Sequence, residues 1–287
     1  MSDSKKIFLT IFIFLALNVF VWQQILFHKP NKDTELYFFD VGQGDSQMVI
    51  LPNNVKILID GGPNDRVLGQ LSSILSPFDR YIDLVVMSHP QTDHFAGLIG
   101  VLKRYKVGAF VFSGKKGLVK SFNDLEKAIK ENQATVVVLG EGDKIKYLEN
   151  KFDILSPSKN LLQSNEPNDW TLVMKMVSGG VKALFTGDID SLVENSLIGK
   201  YYLGVDILKV AHHGSRFSSG KEFLAATAPK IAVIEVGKNS YGHPTKDALE
   251  RLAFAGAQIF RTDRDGTVKL IINNRQINIF KTRPAEQ

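Results

Sequence analysis

The chain has 287 residues, 44% hydrophobic and 23% charged, with 23 Gly and 10 Pro, a balance that excludes disordered, collagenous and coiled-coil chains. It has no Cys, which excludes disulfides, thiolate zinc sites, iron–sulfur clusters and thiol nucleophiles, so any chemistry falls to His, carboxylates, hydroxyls or amines. The net charge of +5 is a mild lean toward anionic partners.

After a head of residues 1–6, no charged residue stands from Ile7 to Phe27. As a helix this stretch measures about 31 Å at ~1.5 Å per residue, enough for one bilayer crossing. Its polar residues are Asn18, Gln23 and Gln24, the last two beside Trp22, where aromatic and amide side chains reach headgroups. The apolar run exceeds that of a secretory leader and no small-x-small cleavage site follows, so 7–27 reads as an uncleaved single-pass anchor. Lys5 and Lys6 before it and Lys29 and Lys32 after it hardly discriminate orientation. A long body behind a first helix is expected outside the cytoplasm.

A polar linker, 28–34, leads to a body expected over 35–281 and a tail over 282–287. LYFFDV, QMVIL and VKILID read as three strands of an antiparallel meander, broken by Gly42, Gly44 and Pro52-Asn53-Asn54. IDLVVMS (82–88) is a further strand, and Phe95 to Tyr105 has helical spacing through Leu98, Ile99 and Leu102. FVF (110–112), TVVVL (135–139) and FDIL (152–155) read as strands, with a helix over Ser121 to Asn132. A second block follows: strands at 170–177, 182–187, 206–211, 230–236, 258–262 and 267–273, with helices near 190–198, 221–226 and 245–254. Two strand blocks, each followed by helices, predict one α/β domain: a four-layer αββα sandwich, two sheets face to face with helices outside.

All histidines but His28 lie in the body, and His89, His94, His212, His213 and His243 each follow a predicted strand. His89, Asp93 and His94 share the loop SHPQTDHFAG, a normal place for a metal site. Asp93 and His94 are adjacent, so only a turn, helped by Pro90, would aim both at one point with His89. Asp188, in LFTGDID, offers a carboxylate that bridges two divalent ions or caps the following helix. Asp45 and Ser46, in DVGQGDS, serve either a tight glycine turn or substrate. Ser215 would offer a hydroxyl or backbone amide to an oxyanion.

The ordered set FFDVGQGDS (38–46), ILIDGG (57–62), SHPQTDHFAGL (88–98), LFTGD (184–188), LKVAHHGS (208–215), YGHPTKDALERL (241–252) and TDRDGTV (262–268) resembles the metallo-β-lactamase-fold domain of the ComEC/Rec2 competence proteins, over roughly 36–273. The resemblance implies an αββα hydrolase with one or two divalent ions, Zn or Mn, acting on an ester, often a phosphodiester. It carries the HxHxDH motif onto His89, Gln91, Asp93 and His94, with glutamine replacing the second histidine and favouring a harder ion such as Mn²⁺. It makes Asp188 the bridging aspartate and His213 or His212, together with His243, the remaining imidazoles. It makes Asp60 a hydrogen-bonding support behind the metal loop.

In the mechanism this implies, metal-activated water is oriented by Asp93, which accepts its proton. Lys209, Arg216, Lys238, Lys246 and Arg264 lie near the motifs, in reach of phosphates, though each alone reads more readily as a solvated surface charge. Three functions stay open: a membrane-anchored phosphodiesterase or nuclease acting on DNA; a cell-envelope or lipid phosphoester hydrolase; and a catalytically degenerate nucleic-acid or partner binding module. One span makes no pore, so strand transport would fall to a separate channel protein.

Overall fold

A computed structural model describes residues 2–27 and 32–283. Helix α1 (Asp3–Phe27) begins one turn before the apolar run. It is long and apolar enough to cross a membrane, with a mean hydropathy of 1.9 over Asp3–Gln23 and no burial against the body. Residues 28–31 of the expected linker and 284–287 of the tail lie outside the described residues.

The meander forms as β1 (Thr34–Phe38), β2 (Gln47–Leu51) and β3 (Val55–Ile59), paired antiparallel. Then come α2 (Arg66–Ile74), β4 (Tyr81–Val86), α3 (Thr92–Arg104), β5 (Lys106–Phe112), α4 (Ser121–Asn132) and β6 (Thr135–Val138). Three antiparallel-linked strands follow, β7 (Lys144–Tyr147), β8 (Asn150–Ser156) and β9 (Val173–Ser178), then β10 (Val181–Phe185). The chain continues through α5 (Ser191–Leu197), β11 (Ile207–Lys209), α6 (Lys221–Thr227), β12 (Ile231–Ile234), α7 (Lys246–Phe254), β13 (Gln258–Arg261), α8 (Thr262–Asp265), β14 (Val268–Asn273) and β15 (Gln276–Lys281).

Two sheets result, ordered β15-β14-β1-β2-β3-β4-β5-β6 and β13-β12-β11-β10-β9-β8-β7. They do not follow the two sequence blocks. β7 and β8 pair into the second sheet, and β14 returns to lie antiparallel to β1, closing the first.

The layering explains the near-continuous apolar runs. In β1, Leu36 and Phe38 face the opposite sheet, while Tyr37 and the following Phe39 face α2 to α4. In β10, Ala183 and Phe185 face the first sheet and Leu184 packs under α5 and α6. Between the sheets Phe185 stacks on Phe38 and Phe152, with ring centroids 6.4 and 6.5 Å away. The observed architecture is therefore helices, sheet, sheet, helices, as predicted.

Strands β3 to β6 run parallel, as do β10 to β13. Parallel strands send their following loops to one edge, where α/β sheets commonly hold ligands. The loops after β3, β4, β10, β11 and β12 carry Asp60, His89, Asp188, His213 and His243 in turn.

Candidate metal centre

Asp93 and His94 reach a common point from a helix, which corrects the expected loop and the expected helix start at Phe95. Helix α3 begins at Thr92, so both residues occupy its first turn, where the exposed N–H groups favour the Asp93 carboxylate. The helix start is set close against the β3 loop: a Cβ on Gly97 would stand 2.0 Å from the Gly61 carbonyl oxygen. The DVGQGDS turn lies directly beneath, since a Cβ on Gly44 would stand 2.3 Å from the Asp93 carbonyl oxygen.

Asp188 is free to act in the site. The helix after it is capped instead by Asp190, whose carboxylate accepts the Leu192 N–H at 2.9 Å. After β11, His212 and His213 both take left-handed backbone, with φ of 50° and 52°, an uncommon conformation for non-glycine residues. That winding turns both adjacent imidazoles toward the site. His213 is the inner one, 2% exposed; His212 stays at the mouth, 30% exposed.

Ligand atoms of Asp93, His94, Asp188 and His213 lie within 4.8 Å of one another. His94 Nε2 and His213 Nε2 stand 3.3 and 3.4 Å from Asp188 Oδ2, and His213 Nε2 lies 3.4 Å from Asp93 Oδ2. The other ring nitrogens are committed: His94 Nδ1 bonds Asp60 at 2.9 Å and His213 Nδ1 donates to the Glu235 carbonyl at 2.7 Å. Asp60 also accepts the Ser88 N–H and hydroxyl, at 2.7 and 2.6 Å, so it supports the β4 loop from behind. The inner nitrogens of both histidines and Asp188 Oδ1 are buried with no hydrogen-bond partner. Buried polar atoms left unpaired are costly, and a divalent ion among them satisfies all three. The residues present fit such an ion.

His89 flanks this cluster, its ring 4.1 Å from that of His94, with Nε2 3.1 Å from Gln91 Oε1. His243 stands outside that cluster, edge-on to His212 at 5.6 Å.

Three expected substrate contacts are corrected. Asp45 is fully buried and ion-paired with Lys209. Ser46 is fully buried, its N–H given to Glu235 at 3.0 Å and its hydroxyl to the Asp60 carbonyl at 3.1 Å. Ser215 is buried, its N–H donated to the His212 carbonyl and its hydroxyl accepting the Phe217 N–H. All three are buried, away from an incoming substrate.

The reading of Lys209 as a surface charge is also corrected. It is 1% exposed, beneath the centre, 3.8 Å from Asp188 Oδ1 and donating to the Gly187 carbonyl at 3.1 Å. Glu235, fully buried, completes this underlayer. Their signal is a lone charge inside each of the apolar runs ILKVA and IAVIEV, which a fully covered strand tolerates only if paired.

The charges interlock. Burial works to raise Asp188, yet His213, His94 and Lys209 outweigh it and hold its carboxyl well below the usual range. Against burial, His94 and His213 bring Asp93 down to about 2. Burial opposes the charged His213, but Asp188 and Asp45 push it up to about 10, and His94 is likewise held well above its ordinary value. Burial, with the His94 charge, lowers His89 to about 3, leaving it neutral.

In metal-free protein, then, His94 and His213 are charged at neutral pH, and an ion must displace both protons. Apparent metal affinity should rise with pH until about 10, and roughly two protons should leave per ion bound near pH 7. Calorimetry in buffers of different ionisation enthalpy counts them; no release would remove these imidazoles from the ligand set.

Residues 40–237 match the metallo-beta-lactamase superfamily. The chain is 30% identical to ComE operon protein 3 of Bacillus subtilis, over 91% of this chain and 36% of that protein. It is also 30% identical to competence protein ComA of Neisseria gonorrhoeae, over 84% of this chain and 32% of that one. It thus spans about a third of the length of these relatives. Among solved structures it resembles the metallo-beta-lactamase fold protein YhfI of Bacillus subtilis, with a TM-score of 0.57 and 10% identity, covering 83% of this chain and 100% of that one. With a family match over most of the body, two sheets flanked by helices and His/Asp groups converging at the shared edge, the chain belongs to the metallo-beta-lactamase superfamily.

Proposed function

We propose that this protein is a membrane-anchored, divalent-metal-dependent phosphodiesterase that cuts DNA, with its body on the outer side of the membrane. The observation that carries the reading is the convergence of Asp93, His94, Asp188 and His213, with ligand atoms within 4.8 Å of one another and three of the buried atoms without a hydrogen-bond partner. A binding module that had lost its chemistry would have no reason to keep them so. DNA is our inference from the relatives, one of which is a competence protein by name.

Asp93, His94, Asp188 and His213 would hold a divalent ion, which would supply Lewis acidity, lowering the pKa of water from about 16 toward 7 and offsetting charge on nonbridging phosphate oxygens. The chain does the rest. His94 and His213 are aimed by Asp60 and the Glu235 carbonyl, so their inner nitrogens need no reorganisation. Asp93, a third exposed and ionised, faces the mouth, where it orients the attacking water and takes up its proton. Asp188, fully enclosed, fixes the negative charge of the ligand set. Arg216, exposed and near enough to His243 for its charge to lower that imidazole, would meet a phosphate.

The test is metal content by plasma mass spectrometry on the full chain in detergent, with hydrolysis of bis-p-nitrophenyl phosphate and plasmid DNA read from the same sample. Expected are one or two equivalents of metal and cleavage that chelation removes and Mn²⁺ restores. Absence of both metal and cleavage under every supplementation would overturn the reading. Protease added to intact cells should digest the body if it lies outside.

A further inference from the structure

Two large aromatic side chains stand exposed on the loops around the centre. Phe217 is 67% exposed and Tyr241 72% exposed, on the loops that carry His213 and His243. An exposed ring alone is ordinary. These two, however, stand on backbone that is fixed from several directions.

Beyond His213, Glu194 accepts the N–H groups of Ser219 and Gly220 at 2.5 and 2.9 Å. The Arg251 guanidinium donates to the carbonyls of Ser219, Ser218 and Arg216 at 2.8, 2.8 and 3.2 Å. The second loop is wound around one amide. Asn239 donates to the carbonyls of Gly237 and His243 at 2.9 and 2.8 Å and accepts the N–H groups of Tyr241 and His243, both at 3.0 Å. The loops also touch, the Thr245 N–H donating to the Gly214 carbonyl at 2.9 Å.

From Tyr241 a row of rings leads inward to the candidate metal centre. Tyr241 and His243 lie 5.8 Å apart at 31°, His243 and His212 5.6 Å apart, and His212 and His213 6.3 Å apart. On the other loop the Arg216 guanidinium lies 5.4 Å from the Phe217 ring centre. Arg216 and Lys238 are exposed and make no ion pair among the described residues. Fixed, exposed aromatic faces with unpaired cations beside a hydrolytic centre match the chemistry of unpaired nucleobases on a phosphate backbone. A duplex keeps its base faces inside the stack and cannot offer them.

We propose that Phe217 and Tyr241, with Arg216, form a base-stacking subsite beside the centre, so that the enzyme takes single-stranded nucleic acid. This rests on the phosphodiesterase reading above.

The experiment uses the Mn²⁺-loaded full chain with three substrates of one length: a single strand carrying 2-aminopurine, the same strand abasic at its central positions, and a duplex. The intact strand should have the lowest KM, and its 2-aminopurine fluorescence should be quenched on binding. Phe217→Ala and Tyr241→Ala should each raise its KM about tenfold and relieve the quench, and Phe217→Trp should restore both. Neither alanine variant should shift KM for the abasic strand. Phe78, 95% exposed and ahead of β4 at the opposite end of the sheet, supplies the control Phe78→Ala, with no effect. Cleavage of all three substrates with equal KM, unmoved by the variants, would overturn the subsite and leave the phosphodiesterase standing. If no strand is bound or cut, both fall.

Discussion

Asp188→Asn should lower kcat/KM about a thousandfold and strip the metal, while the protein stays folded. Asparagine keeps the volume at a site that is 1% exposed, so packing changes little. What goes is a full charge that His94, His213 and Lys209 face, at 3.3, 3.4 and 3.8 Å. An amide oxygen is a poor substitute for a carboxylate toward a divalent ion, and several kcal/mol of transition-state stabilisation go with the ion. Asp93→Asn provides the contrast. Asp93 sits at the mouth, and the other three ligands remain, so that variant should lose about a hundredfold in rate yet retain more metal than Asp188→Asn. Metal content and kcat/KM measured on both proteins separate holding the ion from orienting water. Wild-type metal and rate in Asp188→Asn would sink the assignment.

The sandwich was legible because its strands are covered on both faces. Runs such as LYFF and the ILI of 57–59 carry apolar residues at every position, which an edge or surface strand does not. Elements without that signature escaped. β7, KIKY, alternates exposed and half-buried positions at a sheet edge, β15 does the same, and α2 is interrupted by Gly69, Ser72 and Ser73. The sheet assignment of β14 was hidden for another reason. Its partner β1 lies more than two hundred residues earlier, and no local pattern records a pairing at that distance.

At the centre, residue types and positions after strands could be read, but backbone winding could not. Nothing local in AHHGS announces left-handed φ at two successive histidines, and that winding decides which imidazole lies inside. The glycines 97 and 44 show their use only when the carbonyls they admit are in view. Charge under the site is hard to read from sequence because a lysine is exposed in most proteins, whereas Lys209 ends a strand with neighbours on both sides.

That buried lysine carries the second large effect: Lys209→Met should destabilise the protein by roughly 3–5 kcal/mol, or about 10 °C in melting temperature. Methionine fills the space of the side chain, so the loss is one of charge. Asp45 is wholly enclosed, and without the ammonium its carboxylate keeps only His94 and His213 as opposite charges, at 3.8 and 3.3 Å. Glu235 is already pushed well up by burial and by Asp45, and Lys209 is the cation that opposes the shift. Breaking a buried pair from one side leaves a charge that water cannot reach, which is why the cost exceeds that of a surface pair. The paired variant Lys209→Met/Asp45→Asn removes both charges and should recover a large part of the loss, giving a coupling of at least about 2 kcal/mol in a double-mutant cycle. Lys246→Met, on an exposed helix face with Glu250 at 3.5 Å, should shift stability by no more than about 0.5 kcal/mol. Equal, small shifts at both lysines, measured by chemical denaturation, would mean that Lys209 reaches solvent and that the underlayer does not hold Asp188 in place.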